Sequence, residues 1–402
     1  MAKRPTLYAT RGGVGRHATW LELFFDLVFV LAIAELAHYL HDHLTVGGFL
    51  GFGFLFLPVW LVWSNFSYYA DLFDVDGALY RVAMLAAMLV SIALAVNVYG
   101  ALDGGSADFA VAYVALRVLL VGLYVWAWRH VAETRAVASW HIAGFSAGAL
   151  IWGASLLVPE PARYWVWGLG LLVEMATPVL AQFLVLDEAP VQMSHLPERF
   201  GLFTIVVLGE SILVTGVGVA DTQWAAGSVA VAVLGFAAVG CLWWLYFDHV
   251  VDESAVEHAF TRGVRELLVG FSWAYGHLAV YVGLTATAVG IELAIGGAMN
   301  PALGSAARAA LCGGVALYLL AISVLHPLSP QPFPKSALAA RLVVAAFALA
   351  LALAGGTFPP PVLVGLLALA LAGLTVFEVA YAWRPAGPSG VSAARRWARK
   401  GP

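Results

Sequence analysis

The sequence has little charge and few cysteines. Charged residues make up 11% of the 402 positions and hydrophobic residues 62%, whereas a soluble domain carries about 25% charged residues. So few charges cannot cover a soluble surface, and the chain is predicted to be an all-α, multi-pass protein of the cell membrane. The two cysteines, Cys241 and Cys312, both lie in apolar runs, which excludes a disulfide framework and a thiolate metal site.

Known catalytic and nucleic-acid-binding patterns are also missing. The sequence contains no P-loop, HExxH motif or Ser-His-Asp set, so hydrolytic and ATP-driven chemistry has no support. The 20 Lys and Arg residues form no tract that would follow a phosphate backbone, and no nucleic acid partner is expected. The expected partners are the lipid bilayer and an unidentified small molecule or ion, and the sequence leaves a homo-oligomer open.

Twelve apolar runs of about 20 residues are present, the length that a membrane-spanning helix needs. All but three of the 20 Lys and Arg residues fall on the same side of these runs as the N-terminus. The exceptions are Arg117, Arg163 and Arg308. This bias predicts that both termini face the cytoplasm. The runs lie near 20–42, 48–69, 81–99, 109–129, 138–157, 164–185, 199–219, 226–247, 266–290, 308–325, 339–354 and 361–382.

An internal similarity divides the chain into two six-helix repeats. The segment 61–81 aligns without a gap with 242–262, and in both copies an Asp and an Arg lie ten residues apart. Six spans return the chain to its starting side, so a pseudo-twofold axis along the membrane normal would relate the repeats. The predicted divisions are a cytoplasmic segment at 1–19, repeats at 20–186 and 195–384, and a basic cytoplasmic tail at 385–402.

Several ionisable residues interrupt the apolar runs, where an ionised group costs roughly 2.5 to 3.5 kcal/mol. Glu35 and His38 are three apart on a helix and can touch. They would suit a proton relay, because a histidine titrates near neutral pH and a glutamate removed from water binds its proton more tightly. The predicted proton or cation path comprises Glu22, Asp26, Glu35, His38, Arg117, Glu174, Glu210 and His277.

A structural interpretation of the same residues stays open. Each carboxylate would then pair with a Trp N–H, a hydroxyl or Arg117 and tie helices together. Glu174 illustrates both interpretations, since Pro178 four residues later removes a backbone hydrogen bond at this turn. The freed carbonyl and the carboxylate could together bind a cation. A simple helix kink in which Glu174 makes one buried hydrogen bond explains the same residues equally well.

Acidic residues follow the second and eighth runs. Oxygen-rich clusters suit Mg²⁺, and paired acidic segments resemble the aspartate motifs with which membrane-embedded prenyltransferases hold a diphosphate. The alternative function is therefore a magnesium-dependent membrane enzyme acting on a prenyl or lipid diphosphate. These acids could instead cap helices and pair with Arg81, Arg262 and Arg265. The candidate metal ligands are Asp71, Asp74, Asp76, Asp248 and Asp252.

Two longer motifs carry a family resemblance. WLELFFDLVFVLAIAEL at 20–36 and HLPERFGLFTIVVLGESI at 195–212 resemble the low temperature requirement protein A (LtrA) family of bacterial membrane proteins, and the likeness extends over nearly the whole chain. The family implies a fold but no settled activity. The buried ionisable groups favour a proton- or cation-coupled transporter without a cofactor, and the enzyme remains the alternative.

Overall fold

The computed structural model describes residues 6–7, 18–74, 77–184, 196–248, 264–326 and 335–382. These residues form twelve helices of 19 to 33 residues. One antiparallel pair of two-residue strands, β1 (Thr6–Leu7) and β2 (Phe73–Asp74), pairs Thr6 with Asp74. The helices are α1 Trp20–Asp42, α2 Val46–Leu72, α3 Ala78–Val96, α4 Ser106–His130, α5 Arg135–Ser155, α6 Ala162–Leu184, α7 Leu196–Asp221, α8 Ala226–Phe247, α9 Val264–Gly296, α10 Ser305–Leu325, α11 Lys335–Ala354 and α12 Pro360–Ala382.

The twelve helices coincide with the twelve predicted runs to within a few residues at most boundaries, and the all-α class is confirmed. In the part of the chain that the structure describes, ten helices are long and apolar enough to cross a membrane. Those ten exclude α1 and α5, which both carry polar side chains along their length. The chain is therefore a multi-pass membrane protein, while the side on which its termini lie stays a prediction.

Local capping fixes where α1 and α2 begin. Thr19 accepts a hydrogen bond from the Glu22 backbone N–H at 3.3 Å, and Glu22 accepts one from the Thr19 N–H at 3.0 Å. This reciprocal capping box satisfies two of the amides that a helix N-terminus leaves unpaired. Thr45 caps α2 in a similar way by accepting from Gly48 at 3.1 Å.

The described residues fall into two compact units. The first covers those of 1–210 and 251–285, and the second covers those of 211–250, 286–327 and 331–402. In the first unit α1 packs on α2 and α3, α4 on α3 and α5, and α5 on α6. In the second unit α8 packs on α12 and α10 on α11. The unit boundaries fall inside α7 and α9, and the two predicted six-helix repeats stay a prediction.

Candidate functional site

A buried ion pair in the first unit joins Asp26 of α1 to Arg199 of α7. The Arg199 Nε atom lies 3.0 Å from Asp26 Oδ2, and Nη2 lies 2.6 Å from Oδ1. Trp63 of α2 donates its indole N–H to the same Oδ1 at 2.7 Å. Arg199 also donates to the Ser67 hydroxyl at 3.1 Å. Both oxygens of Asp26 are therefore hydrogen-bonded, and three helices meet at this carboxylate.

Glu22 belongs to the same cluster, because it lies four residues before Asp26 on one face of α1. Its carboxylate lies 3.7 Å from Arg199 Nη1, and both side chains are buried. Glu22 also closes the capping box of α1, near the positive end of the helix dipole. The two acids that share one face of α1 thus meet one arginine.

Aromatic rings surround the Asp26–Arg199 pair and include the ring of His277. The Trp63 ring stacks on Phe203 with centroids 4.1 Å apart. The His277 ring lies 4.9 Å from Phe200, the residue next to Arg199. His277 Nδ1 donates to the Trp273 carbonyl at 2.8 Å, so one ring nitrogen is held by the backbone of α9. His277 is a buried member of this aromatic shell.

A second buried pair in the first unit joins Arg117 of α4 to Glu174 of α6. Arg117 Nη2 lies 3.0 Å from Glu174 Oε2, and both side chains are fully buried. The Tyr113 hydroxyl donates to Glu174 Oε2 and accepts from Arg117 Nη2. The guanidinium carbon of Arg117 also lies 4.5 Å from the centre of the Tyr113 ring. Tyr113, Arg117 and Glu174 form a compact cluster, which we call the triad.

Small residues on α5 make room for the triad. A Cβ atom at Gly148 would lie 2.6 Å from both Cγ and Oε1 of Glu174, and one at Gly144 would lie 2.1 Å from Thr177 Oγ1. Glycine at these positions lets α6 approach α5 closely. The predicted influence of Pro178 is local, because α6 continues as a helix through this residue.

Three polar atoms of the triad are buried without a hydrogen-bond partner among the described residues. They are Nε and Nη1 of Arg117 and Oε1 of Glu174. A buried polar group without a partner costs about 1–3 kcal/mol, so native structures keep few of them. The triad consequently offers two N–H donors and one carboxylate oxygen to a further molecule.

Polar and aromatic side chains of α4, α5 and α6, together with Tyr68 of α2, continue from the triad. The Trp152 ring is tilted against the Tyr113 ring, with centroids 4.1 Å apart, on the side toward the N-terminus of α6. On the other side, Phe145 lies 5.8 Å from the Arg117 guanidinium and Tyr124 stacks on His141 at 4.7 Å. We call this set the column; its members are Trp152, Trp167, Tyr113, Arg117, Glu174, Phe145, Tyr124, His141, Tyr68 and Gln182.

Glu35 and His38 lie near the C-terminal end of α1. His38 is 59% exposed and Glu35 27% exposed, and the two side chains are 4.0 Å apart. His38 is also 3.5 Å from Asp42, which accepts a hydrogen bond from Tyr99 at 2.8 Å. That hydrogen bond raises the pKa of Tyr99. The predicted contact between Glu35 and His38 is present, at a partly exposed position.

Glu210 and Glu378 are both buried. Glu210 lies in α7. In the second unit Glu378 of α12 forms two parallel contacts with Arg341 of α11, Nε to Oε1 and Nη2 to Oε2, each 2.7 Å long. The sequence did not predict Arg199 as the partner of Asp26 or Arg341 as the partner of Glu378. Both arginines lie in predicted membrane runs, and this position was a usable signal because a charge in a membrane span requires a compensating group.

The predicted magnesium ligands are only partly described. Asp71 is buried at the end of α2, and Asp248 accepts from the Trp244 indole N–H at 2.5 Å. The Asp74 side chain, Asp76 and Asp252 lie outside the described residues. Within the residues that are described, no group of three or more His, Cys, Asp or Glu side chains is arranged to hold a metal ion. The magnesium hypothesis stays a prediction.

Comparisons with known proteins agree with the two sequence motifs. The model of the bacterial low temperature requirement A protein (LtrA) family matches residues 17–376. An uncharacterized protein of Rhizobium meliloti (strain 1021) is 28% identical over 331 residues, which cover 79% of each chain. No solved structure matches the chain. The matched range includes both buried ion pairs of the first unit.

Proposed function

Because the chain belongs to the bacterial LtrA family, as its two motifs predicted, we propose that it is a proton-coupled permease for a small solute. In this proposal Glu174 takes up and releases the proton, and the triad binds the solute. Multi-pass architecture and ten apolar helices are compatible with many membrane functions. The proposal therefore depends on the chemistry of the triad.

The observation that carries the proposal is the incomplete hydrogen bonding of the triad. A purely structural ion pair is most stable when every buried donor and acceptor is satisfied. The carboxylates of Asp26 and Glu378 meet this condition, since both oxygens of each accept hydrogen bonds from arginine. Arg199 Nη1 has no hydrogen bond among the described residues, but it lies 3.7 Å from the Glu22 carboxylate. Arg117 and Glu174 do not, because three of their buried polar atoms have no partner in the described part of the chain. This contrast supports the assignment of the triad as a binding site and of the other two pairs as structural clamps.

The column supports the same function. A permeation route through a helical bundle is lined by polar and ionisable side chains that face the protein interior. The column places such groups on both sides of Glu174. Three of their polar atoms, Tyr124 Oη, His141 Nε2 and Trp152 Nε1, are buried without a hydrogen-bond partner among the described residues. Under this proposal these groups would contact the solute or the proton before and after the triad.

Four other residues of the predicted path take different roles in the proposal. Asp26 and Glu22 would hold α1, α2 and α7 together through their shared partner Arg199. Glu35 and His38 would collect protons at the partly exposed end of α1. In both roles these residues do not contact the solute.

The test uses proteoliposomes that enclose a pH-sensitive dye. Solutes are added in four classes: monocarboxylates, zwitterionic amino acids, neutral amides and monovalent organic cations. Wild-type protein should change the luminal pH with one class, and a protonophore should abolish the change. Glu174→Gln should give no change with any class while eluting as a folded protein in detergent. The proposal fails if no class changes the luminal pH through folded wild-type protein.

A further inference from the structure

We propose that the solute is a small monovalent carboxylate, which replaces the charge of Glu174 beside Arg117 when Glu174 takes up a proton. This inference rests on the proposed proton coupling. It adds the substrate class and a stoichiometry of one proton for each anion. It follows from the charge balance of the triad and from the direction of its unsatisfied hydrogen bonds.

The charge balance comes first. Arg117 and Glu174 are fully buried 3.0 Å apart, and together with the neutral Tyr113 hydroxyl they carry no net charge. Adding an anion alone would leave a negative charge uncompensated, which is costly in a medium of low dielectric constant. If the anion arrives with a proton for Glu174, the net charge stays at zero. The same reasoning disfavours a cation, since Arg117 stays protonated in proteins.

The hydrogen bonds indicate the chemistry of the anion. Arg117 has two N–H groups, on Nε and Nη1, without a partner among the described residues. A guanidinium binds a carboxylate well because both are planar and their hydrogen-bonding atoms match in spacing. Once protonated, Glu174 can also donate a hydrogen bond to an acceptor. A small carboxylate can accept hydrogen bonds both from the Arg117 N–H groups and from protonated Glu174.

Few other ionisable groups face this site. Tyr113 and Arg117 come from α4, and α5 presents Gly148, which has no side chain. Four further ionisable side chains of the neighbouring helices make their contacts elsewhere. His141 of α5 lies against Tyr124 and Phe145, and Tyr68 of α2 accepts a hydrogen bond from Gln182. Tyr275 of α9 donates to the Met175 carbonyl, and Asp71 is buried at the end of α2. Arg117 and Glu174 are therefore the pair through which anion and proton are coupled.

The binding step is balanced in charge and protons. The Glu174 carboxylate accepts one proton from the solution and loses its ion pair with Arg117. The carboxylate of the solute enters and accepts hydrogen bonds from the Arg117 guanidinium. Release on the other face reverses both steps, so one proton and one anion cross together and no net charge moves.

Binding of formate, the smallest carboxylate, to detergent-purified protein tests this inference directly. Isothermal titration at neutral pH in two buffers of different ionisation enthalpy measures protons taken up with the anion. Wild-type protein should take up about one proton per formate bound, and Arg117→Met should bind no formate. Binding without proton uptake would overturn the coupling. No binding at any concentration that leaves the protein folded would overturn the substrate class and assign the unsatisfied atoms to water.

A second variant keeps the test informative if wild-type binding is weak. Glu174→Ala removes the internal counter-charge and leaves space beside Arg117. Formate should then raise the melting temperature of Glu174→Ala by about 2 °C or more, whereas formamide, its neutral analogue, should not. Arg117→Met combined with Glu174→Ala should respond to neither, and an equal response in that double variant would overturn the inference.

The two proposals can fail separately. If formate binds with a proton but no solute class changes the luminal pH in proteoliposomes, the proposed binding site is correct and the proposed transport is wrong. If a neutral, zwitterionic or cationic class carries the proton and formate does not bind, the permease stands and the carboxylate class is wrong.

Discussion

Arg199 holds Asp26 through two parallel contacts, 3.0 Å and 2.6 Å long. The two residues are 173 positions apart and come from the two motifs WLELFFD and HLPERF. Trp63 and Ser67 add hydrogen bonds from α2 to the same pair. The acid of one motif therefore binds the base of the other, and the two motifs meet in the structure.

Removing either partner of this pair should destabilise the fold strongly. Asp26→Asn keeps the shape of the side chain but leaves the buried Arg199 charge with only its 3.7 Å contact to Glu22, which should cost about 3 kcal/mol, the lower end of the range for breaking a buried ion pair. Thermal unfolding of the detergent-solubilised protein measures the loss. Glu35→Gln is the matched control, since Glu35 lies on the same helix at a partly exposed position, and it should leave the melting temperature nearly unchanged.

The double variant Asp26→Leu/Arg199→Met separates pairing from packing. It removes both charges of the pair and keeps apolar volume, while Glu22 keeps its place in the capping box of α1, so its loss of stability should be smaller than that of Asp26→Asn. If the double variant instead loses the sum of the losses measured for Asp26→Leu and Arg199→Met alone, the two side chains are not energetically coupled and the clamp described above is wrong.

Gly148→Ala tests whether the position of Glu174 matters. The added methyl group would lie 2.6 Å from Cγ and Oε1 of Glu174, so the carboxylate and the helix that carries it cannot both keep their present positions. Luminal pH changes should therefore decrease strongly in proteoliposomes. Gly153→Ala on the same helix is the control, because a Cβ atom there meets nothing within 4 Å. Alanine should even stabilise a helix interior by roughly 0.5–1 kcal/mol. Equal activity in both variants would contradict the role of Glu174.

Most of the helices could be predicted from the sequence because a helix needs about 20 apolar residues to span a lipid bilayer. The first predicted run, 20–42, coincides with α1 (Trp20–Asp42), and the eighth, 226–247, with α8 (Ala226–Phe247). Helical spacing also predicted that Glu35 can touch His38. These features depend on residues within one helix.

The partners of the buried acids were harder to predict, because they depend on how distant helices are rotated against one another. The structural interpretation named a Trp N–H, a hydroxyl and Arg117 as kinds of partner, and Trp63, Tyr113 and Arg117 fill these three roles. Arg199 was missed for Asp26, since no local spacing relates residues so far apart. The unsatisfied atoms of the triad could be found only from coordinates.

Membrane topology can be tested with single cysteines. The basic residues predict that both termini face the cytoplasm, which places the α5–α6 and α11–α12 connections outside. After replacement of Cys241 and Cys312 by serine or alanine, Leu157→Cys and Thr357→Cys should react with an impermeant maleimide in intact cells. Both positions are exposed. Labelling that requires permeabilised cells would reverse the predicted orientation.

The last prediction distinguishes a coupling carboxylate from a structural one by comparing Glu174→Gln with Glu378→Gln. Glutamine resembles a protonated glutamate in shape but cannot release a proton. Glu174→Gln should therefore keep Arg117 available to an anion and still exchange labelled solute between the two sides of a vesicle. It should lose accumulation driven by a pH gradient, because no proton leaves with each cycle.

Glu378 is the matched control because it too is a buried glutamate paired with an arginine, and both of its oxygens accept hydrogen bonds from Arg341. Glu378→Gln should lower the melting temperature, since it leaves the buried Arg341 charge without its counter-ion. Accumulation per folded molecule should remain close to that of wild-type protein. Accumulation that is lost in Glu378→Gln and kept in Glu174→Gln would exchange the two assignments and move the coupling site to the second unit.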